Sequence, residues 1–240
     1  MGKAMMQDKL FSPPATSDRK AALAHVLRQR ILTMELAPGA VLDEIALSEE
    51  FGLSRPPVRE LMRQMAAEGY IELEANRAAR VTSMSYQSLR NFFLAAPLVY
   101  VATTKIAALN ASPDEIQGLK LIQNRFRLAV EQCDIDSRVY YNDQFHLEIG
   151  KMAHNPYLMP SLNRLLIDHA RLAKTFYQPN NSHMQADLES AVQQHEEIIA
   201  AIERHDADAA VEIVRAHLEL SRRNMAMYVA PEGLEVPADI

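Results

Sequence analysis

The rhythm of apolar and polar positions changes once along this chain. From Ser17 to about Thr82 the apolar runs are short and turn residues are frequent. From about Ser85 to Tyr228 one helical pattern follows another, with only Gly118 and Gly150 in that stretch and no strand-like alternation. A mainly α protein in two domains is expected. Its parts are a flexible arm over 1–16, a small domain over 17–83, an all-helical bundle over 84–229 and a Pro/Gly-containing tail over 230–240.

In the first domain, Ala22, Val26, Ile31 and Leu32 predict a helix over Asp18 to Met34, closed by the Pro38-Gly39 turn. Asp43 is a suitable N-cap for a short helix to Phe51, and Gly52 suits the left-handed residue that ends it. Ser54 opens a third helix, with Pro56 and Pro57 in the first turn, where a missing N–H does little harm. Val58, Leu61, Met62, Met65 and Ala66 give that helix one buried face, and Gly69 stops it. Short strands are expected at Tyr70 to Leu73 and Arg80 to Thr82, joined by a turn over Ala75 to Ala79. Helix, helix, tight turn, helix, hairpin is the order of a winged helix-turn-helix.

Arg55, Arg59 and Arg63 are spaced i, i+4, i+8, so on a helix they form one stripe away from the apolar face. Arg77 and Arg80 add charge on the hairpin. Guanidinium forks suit guanine edges and phosphates, and a helix N-terminus with the Ser54 hydroxyl suits a phosphate oxygen. A merely solvated face, with Glu60 and Glu68 pairing the arginines, is the plainer alternative. The run LSEEFGLSRPPVRELMRQMAAEGYIELEANRAARV resembles the DNA-binding domain of GntR-type bacterial transcription regulators. That resemblance implies that Ser54, Arg55, Arg59 and the wing tip, which carries Asn76 and Arg77, contact operator DNA. Pro56 stands where many relatives have a small polar residue, and Ala78 replaces the usual wing glycine.

The second domain reads as about six helices. Its first, Ser85 to Asn110, is apolar around most of its circumference (Phe92, Phe93, Leu94, Leu98, Val99, Val101) and belongs inside a bundle or at a dimer contact. Ser112-Pro113-Asp114-Glu115 is a capping box. Three of the chain's eight histidines stand out: His146 in YNDQFHLEI, His195 in QQHEEIIAAI and His217 in RAHLEL. Asn142 and His146 are i, i+4 on one helix. If their three helices meet, one amide oxygen and three imidazoles converge on a transition metal. Three histidines also suit a catalytic zinc site. Each could equally be a lone polar residue. His169 has no ligand pattern beside it, and His25, His154, His183 and His205 are unremarkable.

The order F-H-x-x-I, H-N-P, Q-H-x-x-I-x-x-A-I, D-A-D-A-A and H-L resembles the FCD ligand-binding domain of the FadR branch of the same regulators. It implies a divalent metal held by His146, His195 and His217, with zinc first and nickel or manganese as alternatives. The acidic ligand of that pattern falls at Asn142 here; the neighbouring Asp143 points about 100° away. The arginine and glutamate that relatives carry early in the first bundle helix correspond to Ala96 and Tyr100. An anionic effector, with a carboxylate metabolite expected, then needs Arg125, Arg171 or Lys174. A less polar one would be lined by Tyr100 and Tyr177.

Composition narrows the classes. With 48% hydrophobic and 23% charged residues among 240, the chain is globular. One cysteine, Cys133, excludes a disulfide framework and a multi-thiolate zinc site within the chain. The net charge of -6 argues against a generally basic coat but not against a local basic patch. No apolar run is expected to reach the ~20 residues of a membrane span, and the N-terminus lacks a secretory core, so a soluble cytoplasmic protein is expected. The reading that follows is a homodimeric, metabolite-responsive regulator of double-stranded DNA, a repressor binding a near-palindromic operator, without enzymatic activity. Its alternatives are a metal-dependent hydrolase fused to a winged helix, with Glu148 or Glu196 as base, and a protein-binding winged helix.

Overall fold

The computed structural model describes residues 16–75, 77–176 and 182–229, without the side chains of 175–176, 182–184 and 224–229. The tail, residues 1–15 of the expected arm, Asn76 and Tyr177 lie outside the described residues. Contacts divide the chain into two compact units with a boundary between Thr82 and Ser83, the short Leu32–Glu35 segment counting with the second.

The first unit holds α1 (Thr16–Leu32), α2 (Glu44–Glu50), α3 (Arg55–Glu68), β1 (Ile71–Glu72) and β2 (Arg80–Val81). Thr16 thus belongs to a helix and not to the arm. The buried face of α1 is also not the expected one. Leu23, Ala24, Leu27 and Ile31 are inside, whereas Ala22 is exposed and Val26 half-buried. Both registers have helical spacing, and the one that buries two leucines removes more apolar area from water. Asp43 caps α2 by accepting from the Ile45 and Ala46 amides, and Gly52 takes φ +58° in the turn into α3. At the end of α3, Gly69 takes φ +94° and its N–H reaches the Met65 and Ala66 carbonyls. Val58, Leu61, Met62 and Met65 pack into one core with Leu27, Leu47 and Val81. The strands are antiparallel, with Ile71 opposite Val81 and Glu72 opposite Arg80, and Val41 bridges Arg80. They are shorter than predicted, since a two-residue ladder suffices to seat Ile71 and Val81.

The second unit contains, among the described residues, six helices: α4 (Tyr86–Asn110), α5 (Pro113–Glu131), α6 (Ile135–Met152), α7 (Met159–Phe176), α8 (Ser182–Glu203) and α9 (Ala207–Val229). Helix α4 packs on α6, α7, α8 and α9. Contrary to the expectation above, α4 is long and apolar enough to cross a membrane by length and composition; here α6, α7, α8 and α9 pack against it. Its buried stripe is Leu89, Phe92, Ala96, Tyr100, Thr103, Thr104, Ala107 and Ala108, while Leu98 is 73% exposed. Small alanines and threonines on the inner face let neighbouring helices approach closely, so bulk alone misjudges which side goes in.

Helix ends are fixed by polar contacts. Ser112 and Glu115 form the capping box, and the Ser112 backbone and hydroxyl, with His154, hold the Glu115 carboxyl down to about 2. His154 lies 2.7 Å from Glu115 Oε1, and His205 Nδ1 donates to the Ala108 carbonyl at 2.9 Å. Cys133, His154 and His205 all take positive φ where helices end, doing what glycine would otherwise do. Gly150 marks the tightest approach. A Cβ there would lie 2.0 Å from Leu162 Cδ2 and 3.2 Å from Met159 Sδ. Gly150→Ala is expected to lower stability by about 1–3 kcal/mol through overpacking against buried Leu162, measured by urea unfolding; an unchanged midpoint would disprove that close contact of α6 and α7.

Candidate nucleic-acid interface and metal centre

Because α3 buries its methionine face, its arginines point outward. Arg55, Arg59 and Arg63 are all exposed and line an open groove of about 480 Å³ between α3, the start of α2 and the hairpin. Glu44, the first residue of α2, ties two of them together: its Oε1 is 2.6 Å from Arg59 Nε and 3.4 Å from Arg55 Nε. The nearest approach is through Nε in both. Arg77 also lines the groove and pairs with Glu74. Arg80 does not join them; its Nη1 donates to the Gly39 carbonyl at 3.1 Å and braces the Val41 bridge.

Two details were not read from the sequence. Ser54 is exposed and its hydroxyl makes no cap, as a phosphate contact requires, but Pro56 and Pro57 remove two amide donors from the first turn. A phosphate there would depend on the Ser54 hydroxyl and the Arg55 side chain rather than on a full set of helix N–H groups. The groove also carries exposed apolar side chains, Val41, Ile45 and Leu73, each between 46% and 52% exposed. Apolar contacts beside arginine forks suit thymine methyl groups.

In the second unit, α6, α8 and α9 bring His146, His195 and His217 together, all buried, with one imidazole nitrogen from each within 4.8 Å of the others. Hydrogen bonding fixes their tautomers. Gln123 donates its amide N–H to the Val192 carbonyl, so its oxygen faces His195 Nδ1 at 2.9 Å and requires a proton there. His217 Nδ1 likewise faces the Gln194 oxygen at 3.2 Å. Each ring therefore carries a bare lone pair on Nε2, and the two Nε2 atoms lie 3.3 Å apart. Burial, reinforced by His169, lowers the His217 pKa to about 3. Burial and the other imidazoles push His146 and His195 well below the ordinary histidine range. No proton bridges the pair, so lone pair meets lone pair. His146 Nε2 and Asn142 Oδ1 are also buried without a hydrogen-bond partner. This is a donor set that a divalent cation would satisfy, and outer amides oriented on the far ring nitrogens are what such a site needs. Phe145 stacks on His195, with ring centroids 3.9 Å apart.

No carboxylate joins the three histidines among the described residues. Asp143, one residue on from Asn142, keeps an enclosed, unpaired oxygen, and burial pushes its carboxyl up to about 7. The structure adds a fourth imidazole. His169 is buried on α7, 5.0 Å from the His146 ring, and its Nδ1 is 2.8 Å from the Tyr100 hydroxyl. Only helix phase could have revealed this. Tyr100 is thus inside, between His146 and His169. The other expected effector residues lie elsewhere. Arg125 is exposed, 5.9 Å over the Tyr141 ring. Arg171 is buried with its charge committed to Asp168 at 3.0 Å. Lys174 is half-buried, 3.7 Å from Asp136.

A winged helix-turn-helix followed by a helical bundle with a histidine centre defines a two-domain transcription regulator of bacterial type. Residues 19–81 match the bacterial regulatory proteins of the gntR family, and residues 100–220 match the FCD domain. The chain belongs to the GntR family of DNA-binding transcription regulators, in the branch that carries an FCD domain, and is not an enzyme of the hydrolytic kind weighed above. It is 25% identical over 194 residues to the HTH-type transcriptional repressor RspR of Escherichia coli, covering 81% of this chain and 83% of that one. It is 26% identical over 211 residues to the gluconate operon transcriptional repressor of Bacillus licheniformis, with 84% and 81% covered. Among solved structures, the fold is shared with E. coli McbR/YncC (TM-score 0.72, 20% identity, 87% of this chain and 96% of that one). It is also shared with a GntR regulator from Rhodococcus (TM-score 0.68, 15% identity, 90% and 100%).

Proposed function

We propose that this regulator is a metabolite-responsive repressor that acts in the cytoplasm as a homodimer on a near-palindromic operator. The observation that carries the DNA-reading assignment is the groove in which Arg55, Arg59 and Arg63 stand exposed while the opposite face of α3 is buried. Two such helices related by a two-fold axis reach successive major grooves. Arg59, buttressed by Glu44, presents its terminal nitrogens to a guanine edge. Arg55 and Ser54 take phosphate oxygens, and Asn76 and Arg77 work from the wing. Repression fits the names of the similar proteins RspR and the gluconate operon repressor.

In the FCD domain, His146, His195 and His217 hold one divalent transition metal, zinc first, with the neutral Asn142 oxygen as the fourth donor. The facing Nε2 lone pairs support this reading. The ion, when bound, supplies a positive centre that fastens α6, α8 and α9 to one another. Gln123 and Gln194 orient two of the rings, and Phe145 excludes water. A small carboxylate metabolite is the effector. It changes DNA affinity by the difference between its binding energies to two arrangements of the dimer, and by no more than that.

Two experiments test these roles. Arg59→Ala is expected to weaken binding to an operator selected from random DNA by about tenfold to a hundredfold, and Glu44→Gln to lower operator affinity while binding to scrambled DNA holds or rises. Gel-shift titrations across a salt series measure both; operator affinity untouched by Arg59→Ala, or raised by Glu44→Gln, would remove the assigned roles. Metal analysis of protein reconstituted with zinc should give about one ion per chain, and none in the His195→Ala/His217→Ala double variant. A parent protein that takes up no ion would eliminate the centre.

A further inference from the structure

A second cavity in the helical unit, of about 190 Å³, lies between α4, α7 and α9 and is not the histidine centre itself. Its chemistry is asymmetric. One side is apolar, built from Phe92, Phe93, Pro97 and Leu218, with the two phenyl rings edge to face at 5.2 Å. The other side belongs to α9 and is cationic. Arg222 and Glu219 also line it but neutralise each other in a two-pronged pair at 2.7 and 2.8 Å. Arg215 has no ion pair among the described residues, so one positive charge is left uncompensated at the rim. The inner end is His169, whose other neighbours are Tyr100 and His146.

Pro97 adds a polar feature to the apolar side. It sits inside α4 and has no amide hydrogen, so the Phe93 carbonyl lacks its helical donor. Both residues line the cavity. At about 190 Å³ the space falls below the ~300–1,000 Å³ of drug-sized pockets, and it suits a small metabolite with a single ring.

We propose that this cavity is the effector site of the chain and that it takes a monoanionic aromatic carboxylate. The carboxylate pairs with Arg215, the ring lies against Phe92 and Phe93, and a hydroxyl or amine on the ring donates to the Phe93 carbonyl. This rests on the reading of the second unit as effector-binding and names the place and class of the ligand. It replaces the clamp expected from Arg125 or Arg171, and it puts the effector behind His169, away from the metal. The route from cavity to histidine centre is short, because His169 touches both.

Isothermal titration of the zinc-loaded full chain with phenylacetate, 4-hydroxyphenylacetate and 4-hydroxyphenylacetamide tests it. The two acids should bind, the hydroxylated one more tightly, and the amide at least about tenfold more weakly than its acid. Arg215→Gln should erase the preference for acid over amide. Leu218→Trp, which fills the space from a half-buried position, should abolish binding of all three. A preference that survives Arg215→Gln, or no binding by the acids at millimolar concentration, overturns the site. The same acids in an operator gel shift separate the two claims. Acids that bind through Arg215 without changing operator affinity leave the site standing and remove its effector role. Acids that release operator equally well from Arg215→Gln protein leave the effector role and remove this site.

Discussion

A helix has one circumference to divide between burial and chemistry, and both units of this protein depend on how one helix makes that division. In α3 the division is clean. Val58, Leu61, Met62 and Met65 go in, and Arg55, Arg59 and Arg63 come out a fraction of a turn away. Anchoring by four apolar side chains makes the arginine stripe a fixed surface. Without it the three guanidinium groups would be ordinary solvated charges, worth little in water. Glu44 then removes part of the remaining freedom of Arg55 and Arg59 before any DNA arrives.

Helix α4 divides its circumference differently. Its inner face carries Leu89, Phe92 and Tyr100 in its first half and small residues, Thr103, Thr104, Ala107 and Ala108, in its second, so that other helices can approach closely there. Tyr100 shows the consequence. It stands where relatives are expected to carry a charged effector clamp, yet its hydroxyl is spent on His169 and its ring packs edge-on to His146. An aromatic ring fills the space at that point. Among the described residues lining the neighbouring cavity, the cation without an ion pair is Arg215 on α9, across from the apolar Phe92, Phe93 and Pro97 of α4.

How much of this was legible follows from which physical signal each feature leaves. The capped α2, the glycine turn and the amphipathic α3 leave local signals, and that part of the first unit is legible nearly residue by residue. The face of α1 was misread because Ala22/Val26 and Leu23/Leu27 are both helically spaced, and only tertiary packing chooses between them. The convergence of His146, His195 and His217 is legible through spacing and resemblance. His169 was set aside because a single histidine in LLIDHARL carries no spacing signal; its place depends on the phase of α7 against α4. Gln123 and Gln194 were invisible for the same reason, although they decide the tautomers of His195 and His217. Arg171 looked available by charge, but its neighbour Asp168, three residues away, takes that charge on the same helix.

The tautomers also explain why the cluster is built from neutral donors. Two imidazoles with protonated Nδ1 atoms and Nε2 atoms 3.3 Å apart cannot hydrogen-bond to each other, and the Phe145 ring stacks on one of them. Such an arrangement is unfavourable by itself, and the cation of the proposed function would relieve it. Every element bearing on that charge then has leverage on how α6, α8 and α9 sit. His169 is one such element, with one side on Tyr100 and His146 and the other on the aromatic cavity. A ligand that shifted His169 would press on the His146 ring next to it, so the proposed metal centre and the proposed effector cavity would be coupled through α4 and α7.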